Sequence, residues 1–283
     1  MPLFSIVITT LNSSATISRA LESIVCQTCC DFELIVQDGI SSDNTIVLIE
    51  QYQKKMPGQI HVFIEKDEGI YDAMNKALAK VTGQWVYFLG SDDMFFGPSV
   101  LEEVGLCLKD GNDFLYGNVL IDGNAGWAKD GQWYGGRFSL LNLFQKNICH
   151  QAIFYKKALL DKVGKFNTDF KVCSDWDLNH RCFAVCKPFY IDKVIARFAG
   201  GGASTGSQSD LFTDYTNVGL LKKYHSLSFF YKGFYNWQFQ LHYKMKAELA
   251  ASHFWNALVC MSALIYHSRK AWPLYEFISC LKK

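Results

Sequence analysis

The sequence lacks any apolar run of about 20 residues, the length a helix needs to span a bilayer. Its most apolar tail segment, Phe254–Tyr266, has 13. It also lacks a basic segment behind the initiator: Met1 leads at once into Pro2 and the strand-like Phe4–Thr10. No signal peptide is therefore expected, and the ten cysteines are expected to stay reduced in a cytoplasmic setting. Zinc spacing is thin: Cys26-x-x-Cys29-Cys30 and Cys182-x-x-x-Cys186 would each need ligands from elsewhere, so these residues read as small buried apolar groups. Internal repeats are absent. Net charge is nearly absent too, at +1, but it is unevenly spread. Residues 1–214 carry −6 and residues 215–283 carry +7, an acidic body with a basic tail.

With 49% hydrophobic and 19% charged residues, the 283-residue chain can bury a large core and is not disordered. The first part alternates short apolar runs with helical patterns. Phe4–Thr10 reads as a buried strand, and Ala15–Cys26 as a helix with Ile17, Leu21, Ile24 and Val25 on one stripe. Phe32–Val36 is a strand closed by Asp38-Gly39. Asp43-Asn44-Thr45 caps a helix to about Lys55, and His61–Ile64 is a third strand. Asp72–Lys80 is helical, closed by Thr82-Gly83, and Gln84–Leu89 is a fourth strand ending at Gly90-Ser91-Asp92-Asp93. This order implies a doubly wound, mostly parallel sheet, whose ligands bind beyond the carboxyl ends of the strands. Polar or acidic groups stand at every one of those ends. Residues 94–205 read as less regular, with loops over Asp122–Gly136, helices at Ala158–Val163 and Asp175–Val185, and a flexible Gly200–Ser204. The tail reads as helical, rich in aromatics and basic. Its segment Phe254–Tyr266 either packs as a core helix or lies in a membrane interface.

Three acidic motifs carry chemistry. Asp92-Asp93 directly follows a strand. Adjacent carboxylates in an apolar setting repel one another, and a Mg²⁺ or Mn²⁺ between them and a phosphate would relieve that; a capped turn is the plain alternative. Asp38 at a strand end can accept from a base N–H, or serve turn chemistry, with Asp43 as the cap. Asp175-Trp176-Asp177-Leu178 begins a helix. One carboxylate there suits the helix dipole and the other a general base for an attacking hydroxyl. Trp176 is either a sugar-stacking surface or a core aromatic.

The chain resembles the inverting family-2 glycosyltransferases of the GT-A fold, and most closely the branch that builds bacterial surface polysaccharides. The resemblance is carried by Ser5–Asn12, Gln37–Thr45, Glu65–Lys76, Gly83–Asp93, His150-Gln151 and Asp175–Arg181, in family order and spacing across about residues 3–205. It implies an α/β GT-A catalytic domain over 1–210: a single Rossmann-like, mostly parallel sheet flanked by helices. Its nucleotide-binding half would be 1–93 and its acceptor half 94–210, followed by a helical, basic-aromatic extension over 211–283. By resemblance, Thr9, Asp38 and Asp67 hold the nucleotide base, with Asn12 in the same donor-binding group. Asn75 supports the donor site, Asp92 approaches the ribose or metal, and Asp93 ligates the metal. Asp175 is the catalytic base and Asp177 is structural. His150, Gln151, Trp176 and the Gly201–Ser204 loop lie near diphosphate or acceptor.

The resemblance implies one sugar added, with inversion, from a nucleotide diphosphate sugar (UDP-hexose or UDP-N-acetylhexosamine). The implied acceptor is a lipid-linked saccharide of O-antigen, capsule or related polysaccharide. The expected cofactor is Mn²⁺ or Mg²⁺, and the expected place the cytoplasm, peripheral at the inner membrane face. Lys interleaved with Phe, Tyr and Trp in the tail suits a membrane surface rather than nucleic acid. The departures are Gly90-Ser91 where many relatives carry a third acid, Ser174 where many carry Glu, and Met74-Asn75 where some carry Arg-Asn. The Gln-x-x-Arg-Trp signature of processive synthases is absent, which favours single addition. No Gly-rich phosphate loop with a following Arg and Lys supports a nucleotidyltransferase. A non-catalytic carbohydrate- or nucleotide-binding assembly subunit is the remaining alternative, against which Asp93 and Asp175 both stand.

Overall fold

A computed structural model describes residues 1–139, 142–143, 146–202 and 212, all within one compact unit, Met1–Tyr215. The expected tail helices and Ser204 lie outside the described residues.

The first half follows the expected alternation: β1 (Phe4–Thr10), α1 (Ile17–Val25), β2 (Phe32–Asp38), α2 (Thr45–Lys55), β3 (Ile60–Ile64), α3 (Ile70–Leu78) and β4 (Trp85–Gly90). Then come β5 (Met94–Phe95), α4 (Val100–Cys107), β6 (Phe114–Asp122), β7 (Trp133–Tyr134), a 3₁₀ turn (His150–Ala152), β8 (Ile153–Lys156), α5 (Lys157–Val163), α6 (Ser174–Val185) and β9 (Phe189–Ala199). The second half is thus more regular than its sequence suggests. Its strands form one sheet with the first four, in the order β3-β2-β1-β4-β8-β6-β9-β5, with the short β7 pairing with β6 off that path. The first four strands run parallel. β8 is antiparallel to both β4 and β6, and β6 and β9 run parallel. Two reversals restore direction, so β6 and β9 point the same way as β4. The carboxyl ends of β1, β2, β3, β4, β6 and β9 therefore share one edge.

Alternation along β1 explains the two-sided core. Ile6 and Ile8 face α1 residues Ile17, Leu21 and Ile24. Val7 faces Tyr71, Met74 and Ala77 of α3 and, farther along that face, Leu178 and Cys182 of α6. A strand covered on both faces reads as a continuous apolar run. Phe88 is fully buried in the second cluster; truncating such a ring costs about 3–5 kcal/mol through lost transfer energy and the cavity left behind.

The cysteines correct one expectation. Cys182 is buried, but Cys26 and Cys30 are exposed, and no disulfide joins the described cysteines. Among the described residues no three His, Cys, Asp or Glu side chains gather as a metal set, and no helix is long and apolar enough to cross a membrane.

Candidate active site

The loops after β1, β2 and β3 mostly satisfy themselves. Asp38 is fully buried, and its two oxygens accept from the Ser41 N–H (2.7 Å) and the Ser41 hydroxyl (2.6 Å). Asp43 accepts from the Thr45 N–H at 3.0 Å and the Ser14 N–H at 3.1 Å. Thr45 and Ser14 together hold its carboxyl well below the usual range. Asp43 thus does the capping expected of it, from one residue before the N-cap. Asn12 sits at φ 51°, and its side-chain oxygen accepts from the Ser42 N–H at 2.8 Å. Asp67 accepts from the Gly69 N–H at 3.0 Å. It lies against Gly39, where any Cβ would meet its carboxylate. Thr9, one residue before the end of β1, is 8% exposed.

The end of β4 is different. Asp93 is 2% exposed. Gln151 Nε2 donates to its Oδ2 at 2.7 Å, and the Ala199 N–H donates to its Oδ1 at 2.7 Å. Burial, together with the neighbouring Asp92 charge, pushes Asp93 up to about 6. Asp92 is half-buried, and Arg19 donates to its backbone oxygen at 2.6 Å while pairing with Asp122 at 3.4 Å. Both carboxylates converge on Gly90: a Cβ there would lie 2.8 Å from Asp92 Oδ1 and closer still to Asp93. That crowding explains Gly at 90. Gly202, after β9, approaches the same carboxylate, since a Cβ on it would fall 2.9 Å from Asp92 Oδ2. Gly201 is exposed at φ 98°.

Asp175 opens α6 beside this edge. The Trp176 N–H donates to its Oδ1 at 2.8 Å, and the Tyr71 hydroxyl lies 3.2 Å from the same oxygen while donating to Val172 O at 2.5 Å. Burial and the Asp175 charge push the Tyr71 phenol well above its usual value. Asn147 Nδ2 donates to Asp175 Oδ2 at 2.8 Å, and His150 Nδ1 lies 3.5 Å from it. A directional chain fixes Asn147. Tyr155 O–H donates to Asn179 Oδ1, Asn179 Nδ2 donates to Asn147 Oδ1, and Asn147 can then only donate onward to Asp175, each step 2.8 Å. The turn His150–Ala152 links the two acidic centres, because Gln151 reaches Asp93 while His150 faces Asp175.

Three other residues are engaged in holding the fold. Asn75 exchanges two 2.9 Å bonds with the Phe166 main chain, so it clamps the loop leading toward Asp175. Trp176 spends its indole N–H on Leu143 O at 2.6 Å and packs on Phe212. Asp177 is 1% exposed and pairs with Arg181 at 2.8 Å; the guanidinium also caps Val163 O and Lys165 O. Arg19, Asn147 and the supporting role of Tyr71 were not found from sequence. Tyr71 lies inside a motif that resembles the family's, but Arg19 and Asn147 stand in no local pattern.

The architecture matches solved glycosyltransferases of the GT-A class. The Staphylococcus aureus protein TarS, residues 1–349 in complex with UDP-GlcNAc, superposes with a TM-score of 0.62 at 20% identity, covering 81% of this chain and 69% of that one. Mannosyltransferase PcManGT from Pyrobaculum calidifontis, solved with GDP-Man and Mn²⁺, gives a TM-score of 0.54 at 16% identity, covering 99% and 80%. The fold is GT-A. Residues 5–164 match Glycosyl transferase family 2, and the chain belongs to that family and is a glycosyltransferase. A Mycobacterium bovis PGL/p-HBAD biosynthesis glycosyltransferase is 39% identical over 186 residues, 65% of this chain and 70% of that protein. The Escherichia coli UDP-Glc:alpha-D-GlcNAc-diphosphoundecaprenol beta-1,3-glucosyltransferase WfgD is 32% identical over 123 residues, 43% of this chain and 47% of its own length.

Proposed function

We propose that this glycosyltransferase moves one sugar, with inversion, from a UDP-linked donor to a lipid-linked saccharide in polysaccharide or glycolipid assembly. The observation that carries the mechanism is the pairing of two acidic centres by one turn, with Gln151 on Asp93 and His150 at Asp175. In a single displacement one carboxylate is sufficient. An acceptor hydroxyl gives its proton to Asp175 as its oxygen bonds to the anomeric carbon, and the bond from that carbon to the diphosphate breaks with its electron pair leaving on phosphate. Asn147, Tyr71 and the Trp176 N–H orient the carboxylate for this, so little reorganisation accompanies proton transfer. UDP is favoured because TarS was solved with UDP-GlcNAc and WfgD is named for UDP-Glc. WfgD's diphosphoundecaprenol acceptor and the mycobacterial relative's place in PGL/p-HBAD biosynthesis favour a lipid-linked acceptor.

The residues at the end of β4 fit a divalent cation. Two carboxylates converge over Gly90, one of them pushed up by burial and its neighbour's charge. The buried Gln151 Oε1 beside them has no partner. An all-oxygen set of this kind suits Mn²⁺ or Mg²⁺, whose other positions go to phosphates and water. Asp93 and Asp92 would hold it, and it would supply charge neutralisation for the diphosphate. The basic tail would hold the protein at the inner membrane face.

Thermal unfolding with UDP, GDP, CMP or dTDP, each with and without Mn²⁺, tests the donor assignment. A ligand that binds only the native state raises the melting temperature by mass action. A rise with UDP that needs Mn²⁺ is expected. A metal-independent rise removes the Asp92–Asp93 site, and a rise with another nucleotide alone removes UDP.

A further inference from the structure

An acceptor saccharide has to rest on something beside Asp175, and of the two roles open to Trp176 the structure favours packing. Trp176 is packed against Phe212 and its N–H is used. A different indole is available. Trp127 lies in the loop joining β6 to β7, which leaves the carboxyl end of β6 on the same sheet edge as Asp92 and Asp93. It is 46% exposed. Its ring is braced by Tyr134, edge to face at 4.9 Å, and by Phe198, tilted at 5.5 Å.

Those two braces locate it. Phe198 immediately precedes Ala199, whose N–H holds Asp93. Tyr134 donates to Asn147 O at 2.5 Å, and the Asn147 side chain holds Asp175. Trp127 is thus tied by one short chain of contacts to each acidic centre. The loops agree. Gly200 presses on Asn124, where a Cβ would meet its carbonyl carbon at 2.6 Å, and Gly202 presses on Asp92 at 2.9 Å. The Trp127 loop, Gly200 to Gly202 after β9 and the carboxylate pair therefore form one rim. Trp133, the other exposed indole of this hairpin, lines a separate cleft with Phe96, Val100 and Lys193.

We propose that Trp127 is the positioning platform for the acceptor, its open indole face taking the C–H face of the sugar ring that presents its hydroxyl to Asp175. This rests on the glycosyltransferase mechanism above. A braced aromatic suits the task because stacking on it costs little conformational freedom. The role is specificity and orientation, not proton transfer.

The test uses the full chain labelled with 5-fluorotryptophan, the Trp127 resonance being assigned by its loss in Trp127→Tyr. Octyl glucoside and octyl N-acetylglucosaminide serve as probes, added to protein saturated with UDP and Mn²⁺. The Trp127 fluorine signal is expected to shift with at least one probe. That probe's dissociation constant should rise about tenfold in Trp127→Ala and return to within about threefold in Trp127→Tyr, while UDP affinity stays within about twofold. A Trp127 signal unmoved by both probes overturns the proposal, as does an Ala variant that binds the shifting probe like wild type. Failure of UDP and Mn²⁺ to perturb any tryptophan or to raise the melting temperature would instead strike the donor-site reading on which the proposal stands.

Discussion

The two halves of the domain hold their acidic residues with a different balance of partners. In the loops after β1, β2 and β3 each acid has a partner close in sequence: Asp38 takes Ser41 three residues on, and Asp43 and Asp67 take Thr45 and Gly69 two residues on, with Ser14, 29 residues away, as a second partner of Asp43. At the end of β4 and the start of α6 most partners are remote, the adjacent Trp176 N–H on Asp175 being the local one. Asp93 is held from 58 and 106 residues away, and Asp175 from 28 and 104. Local partners let a loop fix much of its own shape. Remote partners make a site that exists only when the whole domain is folded. The proposed chemistry sits on the second kind.

That contrast can be broken at its strongest point first. Asp175→Asn should cut transfer by about a thousandfold, within the range for loss of a general base, with UDP affinity nearly unchanged by titration calorimetry. Turnover at the wild-type rate would remove Asp175 from the mechanism. Arg181→Ala leaves the Asp177 carboxylate buried and unpaired, and should cost about 3 kcal/mol or more in urea unfolding; a loss under about 1 kcal/mol would mean that the pair is not a structural tie. Asn147→Ala removes a hydrogen bond to a charged group, worth about 1.5–3 kcal/mol. It should lower kcat by roughly tenfold or more while leaving donor KM alone, and an effect confined to donor KM would place Asn147 on the other side of the comparison.

The smallest expected effect concerns pH. Asp93 is raised from its ordinary value to about 6. The folded protein therefore binds more protons than the unfolded chain between about pH 4 and 6, and this group's contribution to stability falls as pH rises through that window. In metal-free protein, the melting temperature of wild type minus that of Asp93→Ala should shrink from pH 4 to pH 7. A difference that grows with pH would mean that Asp93 is stabilised as the anion.

The same division governs what the sequence discloses. β1 to β4 and their helices were readable because each carries its own signal: a two-faced apolar run, then a stripe at helical spacing. Helix bounds moved by only a residue or two, as for α3 at Ile70–Leu78. β6, β8 and β9 were missed because they are strands only by virtue of partners across the sheet. β6 pairs with β9 through register shifts around Asn118 that no local pattern announces. Asp92, Asp93 and Asp175 were visible as unusual acidic residues at element ends. Asn147, Arg19 and Trp127 were not, since nothing next to them in the chain marks them. Asp38 stood out in the sequence, and Ser41, three places on, donates to each of its oxygens, a turn role beside the donor-binding one expected of it.

The central claim is a single displacement with Asp175 as its one base, and the anomeric configuration of the product tests it most directly. Proton NMR should follow the first turnovers of α-linked UDP-glucose or UDP-N-acetylglucosamine onto octyl N-acetylglucosaminide. The account predicts a new anomeric doublet with the large coupling of a β-linkage from the earliest time point. An α-linked first product would mean a double displacement or a front-face route, and would contradict the assignment of Asp175 as sole base.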